Sequence, residues 1–153
     1  MISKWAAKVG LAAVMLGAVT AAGADTPPSK VMAYASTYVS GDMGTYVASS
    51  WAYYYGTTEI LVLAMYDSSG RKVLDVHTYV GAPYWLDSNH SGVVFNGTGT
   101  WNNSPVSVSI TFTRNTSKPF QGGLAITVQW PSNSSTTFTR PSNSMGVVFV
   151  GAS

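Results

Sequence analysis

The sequence predicts one all-β domain of about eight or nine short antiparallel strands, a meander β-barrel in preference to a β-sandwich, preceded by a cleaved signal peptide. Three observations carry this. After Asp25 no stretch keeps a helical period, whereas short runs rich in β-branched and aromatic residues recur with turn residues between them. Charged residues are only 9 % of the chain, and Ser, Thr, Asn and Gly supply the polarity. The connections are short and sequential, which favours a meander over the longer crossings of a sandwich.

The first 24 residues have the three parts of an export signal. Lys4 and Lys8 form a positive n-region, and Val9 to Ala21 is an apolar run. Ala22-Gly23-Ala24 supplies small residues for the peptidase, so cleavage is expected after Ala24. The apolar run is shorter than the ~20 residues that span a bilayer. The expected domains are therefore 1–24 as signal, 25–30 as an extended leader with Pro27 and Pro28, and 31–153 as the β domain. The mature protein is expected outside the cytoplasm, periplasmic or secreted.

Removing the signal leaves six basic and six acidic side chains. The precursor's basic balance belongs to Lys4 and Lys8, so no electrostatic footprint for nucleic acid is expected. Cysteine is absent. That removes thiol nucleophiles, cysteine metal sites and disulfides, and leaves an exported fold to packing alone.

Candidate strands run over 31–39, 45–55, 58–66, 72–80, 92–101, 106–114, 123–130, 136–140 and 146–150. Gly41-Asp42-Met43-Gly44, Asp67-Ser68-Ser69-Gly70, Asn102-Asn103-Ser104-Pro105 and Pro131-Ser132-Asn133-Ser134 carry turn chemistry. Val106, Val108, Ile110 and Phe112 alternate with Ser107, Ser109, Thr111 and Thr113, as a strand with one wet face does. Leu124, Ile126, Val128 and Trp130 alternate in the same way. Ile60 to Met65 is apolar throughout and reads as a strand covered on both sides. In 72–80, alternation buries Leu74, Val76 and Val80 and exposes Asp75, His77 and Tyr79. A transmembrane barrel is a competing architecture, but 136–140 and 146–150 are short for its strands of ~9–11 residues.

Aromatic residues are the main functional lead. Trp51, Tyr53 and Tyr55 fall on one side of a strand and Tyr54 on the other. Tyr84 and Trp85 follow Pro83 and read as a surface loop. Flat rings with hydroxyls at their edges can stack on sugars or other uncharged ligands. These five residues, Trp51, Tyr53, Tyr55, Tyr84 and Trp85, are the candidate ligand-binding set. Period-two aromatics also build cores, and Trp101 and Trp130 are read in that way.

Catalytic and metal signals are weak. Asp75 and His77 share a strand face, but there is no Gly-x-Ser-x-Gly elbow. His77 and His90 are too few and too separated for zinc. Asp42, Asp67 and Asp87 stand singly in turns without calcium-loop spacing. No catalytic residue, metal or cofactor is assigned. Asn-x-Ser/Thr sequons occur at Asn89, Asn96, Asn102, Asn115 and Asn133, and matter only where a host glycosylates exported proteins.

Two stretches resemble the avidin family. Trp51-x-x-x-x-Gly56-Thr57 is similar in spacing to that family's first strand and ligand loop. Ile126-Thr127-Val128-Gln129-Trp130, followed by Thr137-Phe138-Thr139, resembles its late strands. No acidic residue precedes Thr137 where that family holds its ligand, and its paired Trp strands are missing. The resemblance implies a shared architecture and does not extend to biotin binding.

The expected function is a non-enzymatic module that holds a carbohydrate or another small uncharged ligand through aromatics at a surface or barrel mouth. The alternative is a structural or interaction protein of the envelope that self-associates through strand edges. A third is an envelope inhibitor or hydrolase.

Overall fold

The computed structural model describes residues 28–115, 117–118, 121–140 and 146–151, the last five through their backbone. The signal segment and its cleavage point lie outside the described residues. All nine expected strands are present: β1 (Val31–Gly41), β2 (Gly44–Tyr54), β3 (Glu59–Tyr66), β4 (Lys72–Tyr79), β6 (Gly92–Trp101), β7 (Ser104–Thr113), β8 (Gly123–Gln129), β9 (Ser135–Thr139) and β10 (Val147–Gly151). A tenth, β5 (Tyr84–Trp85), pairs with β6. Residues 84–85 are thus a short strand, where a loop was expected.

Every pairing is antiparallel, in the order β1-β2-β3-β4-β6-β7-β8-β9, and Ser40 of β1 pairs with Thr139 of β9. Eight strands therefore close into a barrel, and β10 adds to β1 where β9 has ended. Gly41 lets that closure happen, because a Cβ there would press on the Thr137 carbonyl and the Phe138 ring.

The interior is filled by side chains, as an eight-strand barrel allows. β1 and β2 offer it mostly small residues: Ala33, Ala35, Thr37, Ala48, Ser50 and Ala52 are buried. The opposite wall supplies bulk from Phe95, Phe112, Phe138, Ile110 and Ile126. Burying each such side chain contributes about 1.5–3 kcal/mol. Ser50 meets its polar need inside by donating to the Val62 carbonyl at 2.9 Å. Aromatic clusters close both ends. At the first, Trp101 stacks on Phe138 at 5.7 Å and meets Trp130 edge-on at 5.3 Å. At the second, Tyr54 stacks on Tyr79, which meets Phe95 edge-on.

Two irregularities reset the alternation of β4. The register shifts between Met65 and Tyr66, so Val73 and Leu74 are both buried. It shifts again between Val76 and Thr78, leaving His77 as an extra residue. From there the faces exchange. Tyr79 packs on the core and Val80 is 49 % exposed, the reverse of simple alternation. Opposite this bulge, Gly97 and Gly99 replace side chains that would collide with the Thr78 and Asp75 carbonyls.

Candidate functional site

The aromatic lead divides between core and surface. Trp85 is 3 % exposed and belongs to the core, because β5 pairs Trp85 with the buried Val93. Its indole is covered by the imidazole of His90, stacked at 4.2 Å and 9°. Tyr84 is half-buried, and burial raises the pKa of its hydroxyl. Neither residue lies beside Trp51, so the five candidates do not form one site.

Trp51 and Tyr53 point outward from β2, and register shows what surrounds them. β1 and β2 form an unbroken hairpin from Val31↔Tyr54 to Gly41↔Gly44. Its mid-strand inner positions are small residues of the core, Tyr46 and Tyr54 pack inside near its two ends, and Tyr34, Tyr38, Trp51 and Tyr53 face out. With β3, the outward positions fall into rows: Met32–Tyr53–Ile60, Tyr34–Trp51–Val62, Ser36–Ser49–Ala64 and Tyr38–Val47–Tyr66. Neighbours within a row lie about 5 Å apart and rows repeat about every 6.7 Å. Trp51 is 46 % exposed, Tyr34 42 % and Tyr38 60 %. Tyr55 continues the line past the end of β2, with Lys30 Nζ 5.6 Å from its ring centre.

None of these twelve outward positions is charged. Charge begins on the next strand, where Asp75 lies opposite Ala64. The outer face of β3 is also less covered than its apolar run suggested: Ile60 and Val62 are half-buried, so that strand is not enclosed on both sides. The opposite wall differs in kind. There Thr98, Ser109, Thr127 and Thr137 face out, and the Thr127 and Thr137 hydroxyls lie 2.9 Å apart.

Sequence reasoning missed Tyr34 and Tyr38. Their signal was the alternation in Val31–Val39, which puts Val31, Ala33, Ala35, Thr37 and Val39 on one face and Tyr34, Ser36 and Tyr38 on the other.

The other candidates stand apart. His77 Nε2 lies 2.6 Å from Asp75 Oδ1, and Lys72 Nζ lies 3.8 Å from the same oxygen. The His77 contact is short but not directed as a hydrogen bond. This cluster sits on the open outer wall. Among the described residues, no group of three or more His, Cys, Asp or Glu side chains could hold a metal ion.

Asp67 and Asp87 build matching turns. Asp67 Oδ1 accepts the N–H groups of Ser69 and Arg71, each at 3.0 Å. Asp87 Oδ1 accepts those of Asn89 at 3.0 Å and Ser91 at 3.2 Å. The Ser69 hydroxyl and then the Arg71 amide hold the Asp67 carboxyl at a pKa of about 2. The Ser91 hydroxyl and amide lower that of Asp87. Both aspartates are explained as turn formers.

Comparison with protein-family models, with curated proteins and with solved structures found no match.

Proposed function

We propose that the mature chain is an exported, non-enzymatic binding module. Its site is the uncharged aromatic face on the outer wall of β1–β3. It holds a carbohydrate or another uncharged, partly apolar molecule. The observation that carries this is the Tyr34–Trp51 pair, placed side by side by register and each more than two-fifths exposed. Large aromatics left in water along neutral rows of three strands are a feature of binding surfaces, whereas exposed apolar residues elsewhere are usually scattered.

Export is supported by the n-region, apolar run and small residues of the first 24 positions. A water-facing barrel is supported by its inside-out pattern. The interior is apolar and the β7–β9 wall carries hydroxyls, the opposite of a lipid-spanning barrel with a polar lumen. Assembly through strand edges has less to work with along the barrel, and among the described strands the outer edge of β10 is where it could act.

The test is binding to an array of neutral glycans and small apolar ligands, comparing wild type with Trp51→Ala and Tyr34→Ala. Binding that both substitutions weaken is expected. Absent binding, or binding that neither substitution alters, overturns the proposal.

A further inference from the structure

The geometry points to a linear neutral polysaccharide as the occupant, lying lengthwise along the β1–β2 hairpin. Tyr53, Trp51 with Tyr34, and Tyr38 are its successive contacts. This rests on the reading that the aromatic face is the binding site, and it replaces the small ligand with an extended chain.

Shape favours an extended chain. Small-molecule sites are concave and bury most of the ligand. Here the barrel interior is occupied by Phe95, Phe112 and their neighbours, while the exposed aromatics lie on the outside of a sheet. From the Met32–Tyr53 row to the Tyr38–Val47 row is six residues along β1, or about 20 Å. A single sugar covers only part of that length.

The chemistry of the rows suits sugar rings. Rings at Tyr53, Trp51, Tyr34 and Tyr38 offer flat apolar faces, which suit the C–H faces of pyranose rings. Ser36 and Ser49 face each other in the row between Trp51 and Tyr38. Their hydroxyls and the tyrosine hydroxyls supply donors and acceptors between the stacking positions. The absence of charge on these rows selects an uncharged chain. Lys30 over the Tyr55 ring and Asp75 beside Ala64 bound the neutral track at one end and along one side.

Area points the same way. Three strands about 4.8 Å apart over about 20 Å give a footprint of roughly 300 Å². A stable protein–protein interface takes about 800 Å² from each partner. The aromatic track by itself matches the width of one extended chain, whereas a folded partner or a second copy would have to cover β10 beside it as well.

Titration calorimetry on the mature protein tests this. Six-residue oligosaccharides of the cellulose, laminarin, mannan, chitin and amylose series are compared with their disaccharides and monosaccharides. At least one series is expected to bind, about tenfold or more tightly as the hexasaccharide than as the disaccharide. Trp51→Ala is expected to weaken the hexasaccharide by about tenfold or more. Tyr38→Ala and Tyr53→Ala weaken it too, while Thr127→Ala on the opposite wall leaves it unchanged. If disaccharide and hexasaccharide bind equally and only Trp51 and Tyr34 matter, the extended chain is wrong and the binding face stands. If no sugar binds and light scattering shows a dimer that Trp51→Ala dissociates, the face belongs to a second copy. If no sugar binds to a monomer, both the chain and the carbohydrate reading fall.

Discussion

Asp67 shows how much one side chain can fix locally. Its Oδ1 accepts two backbone amides while Oδ2 meets Arg71 Nε at 3.2 Å, so the β3–β4 turn depends on the ionised carboxylate. Its pKa is about 2 in the fold against an ordinary 3.8. The turn is therefore stabilised above pH ~4, and that contribution is lost as the pH falls towards 2. Acid unfolding of Asp67→Asn should show a shallower loss of stability over this window than wild type; equal slopes would contradict the assignment. At the β6–β7 turn, Asn102 and Asn103 have φ of 47° and 71°. Both are left-handed, the form that a two-residue hairpin prefers. Asn103→Val should cost about 1–2 kcal/mol by denaturant melt, because a β-branched side chain is strained there. The Tyr79 hydroxyl is buried without a hydrogen-bond partner among the described residues, and burial followed by the charge of Glu59 raises its pKa. Tyr79→Phe should leave the melting temperature unchanged or raise it, since it removes a desolvated group. A clear drop would show that the hydroxyl has a partner in solution. The turns at 67–70 and 102–105 were legible in sequence because their residues act within the turn itself. The stacking of His90 on Trp85 was not, because it depends on β5 pairing with β6.

At the scale of elements, alternation read β7 and β8 well. Val106, Val108, Ile110 and Phe112 are buried, as are Leu124, Ile126 and Val128. Period two holds wherever the ladder has no extra residue. It failed on β4, where the extra residue at His77 exchanges the faces and brings Tyr79 inward. Nothing in Val76-His77-Thr78 marks a bulge; the sign lay some twenty residues later in Gly97-Thr98-Gly99, which lets the partner strand approach. Gly99→Val should therefore cost about 1–3 kcal/mol, since backbone rather than a movable side chain blocks the space. Urea melts against wild type check this, and an unchanged midpoint would mean that the two strands can separate there. The inner face of β1 was legible: Val31, Ala33, Ala35, Thr37 and Val39 are all buried, and hydropathy marks them as the more apolar set. Hydropathy does not show that Tyr34 and Tyr38 on the outer face meet water rather than a second layer.

For the whole molecule, the composition follows from a division of the outer wall. One side presents neutral aromatics and the other hydroxyls; Glu59 stands at the start of β3, and charge reaches the outward rows only at Asp75 of β4. Barrel closure was legible as short sequential connections. The position of the site was not, because it depends on which residues of three strands share a row. Trp51→Ala should change stability by about 1 kcal/mol or less, the size of a cross-strand pair contribution. Its effect is expected in binding instead. The most direct measurement is a backbone amide NMR titration of the ¹⁵N-labelled mature protein with the tightest-binding hexasaccharide. Shifts should concentrate along β1, β2 and β3 around Tyr34, Trp51 and Tyr38 and spare β7 and β8. Shifts confined to the end loops around Tyr84 and His90, or to the β7–β8 wall, would contradict the account.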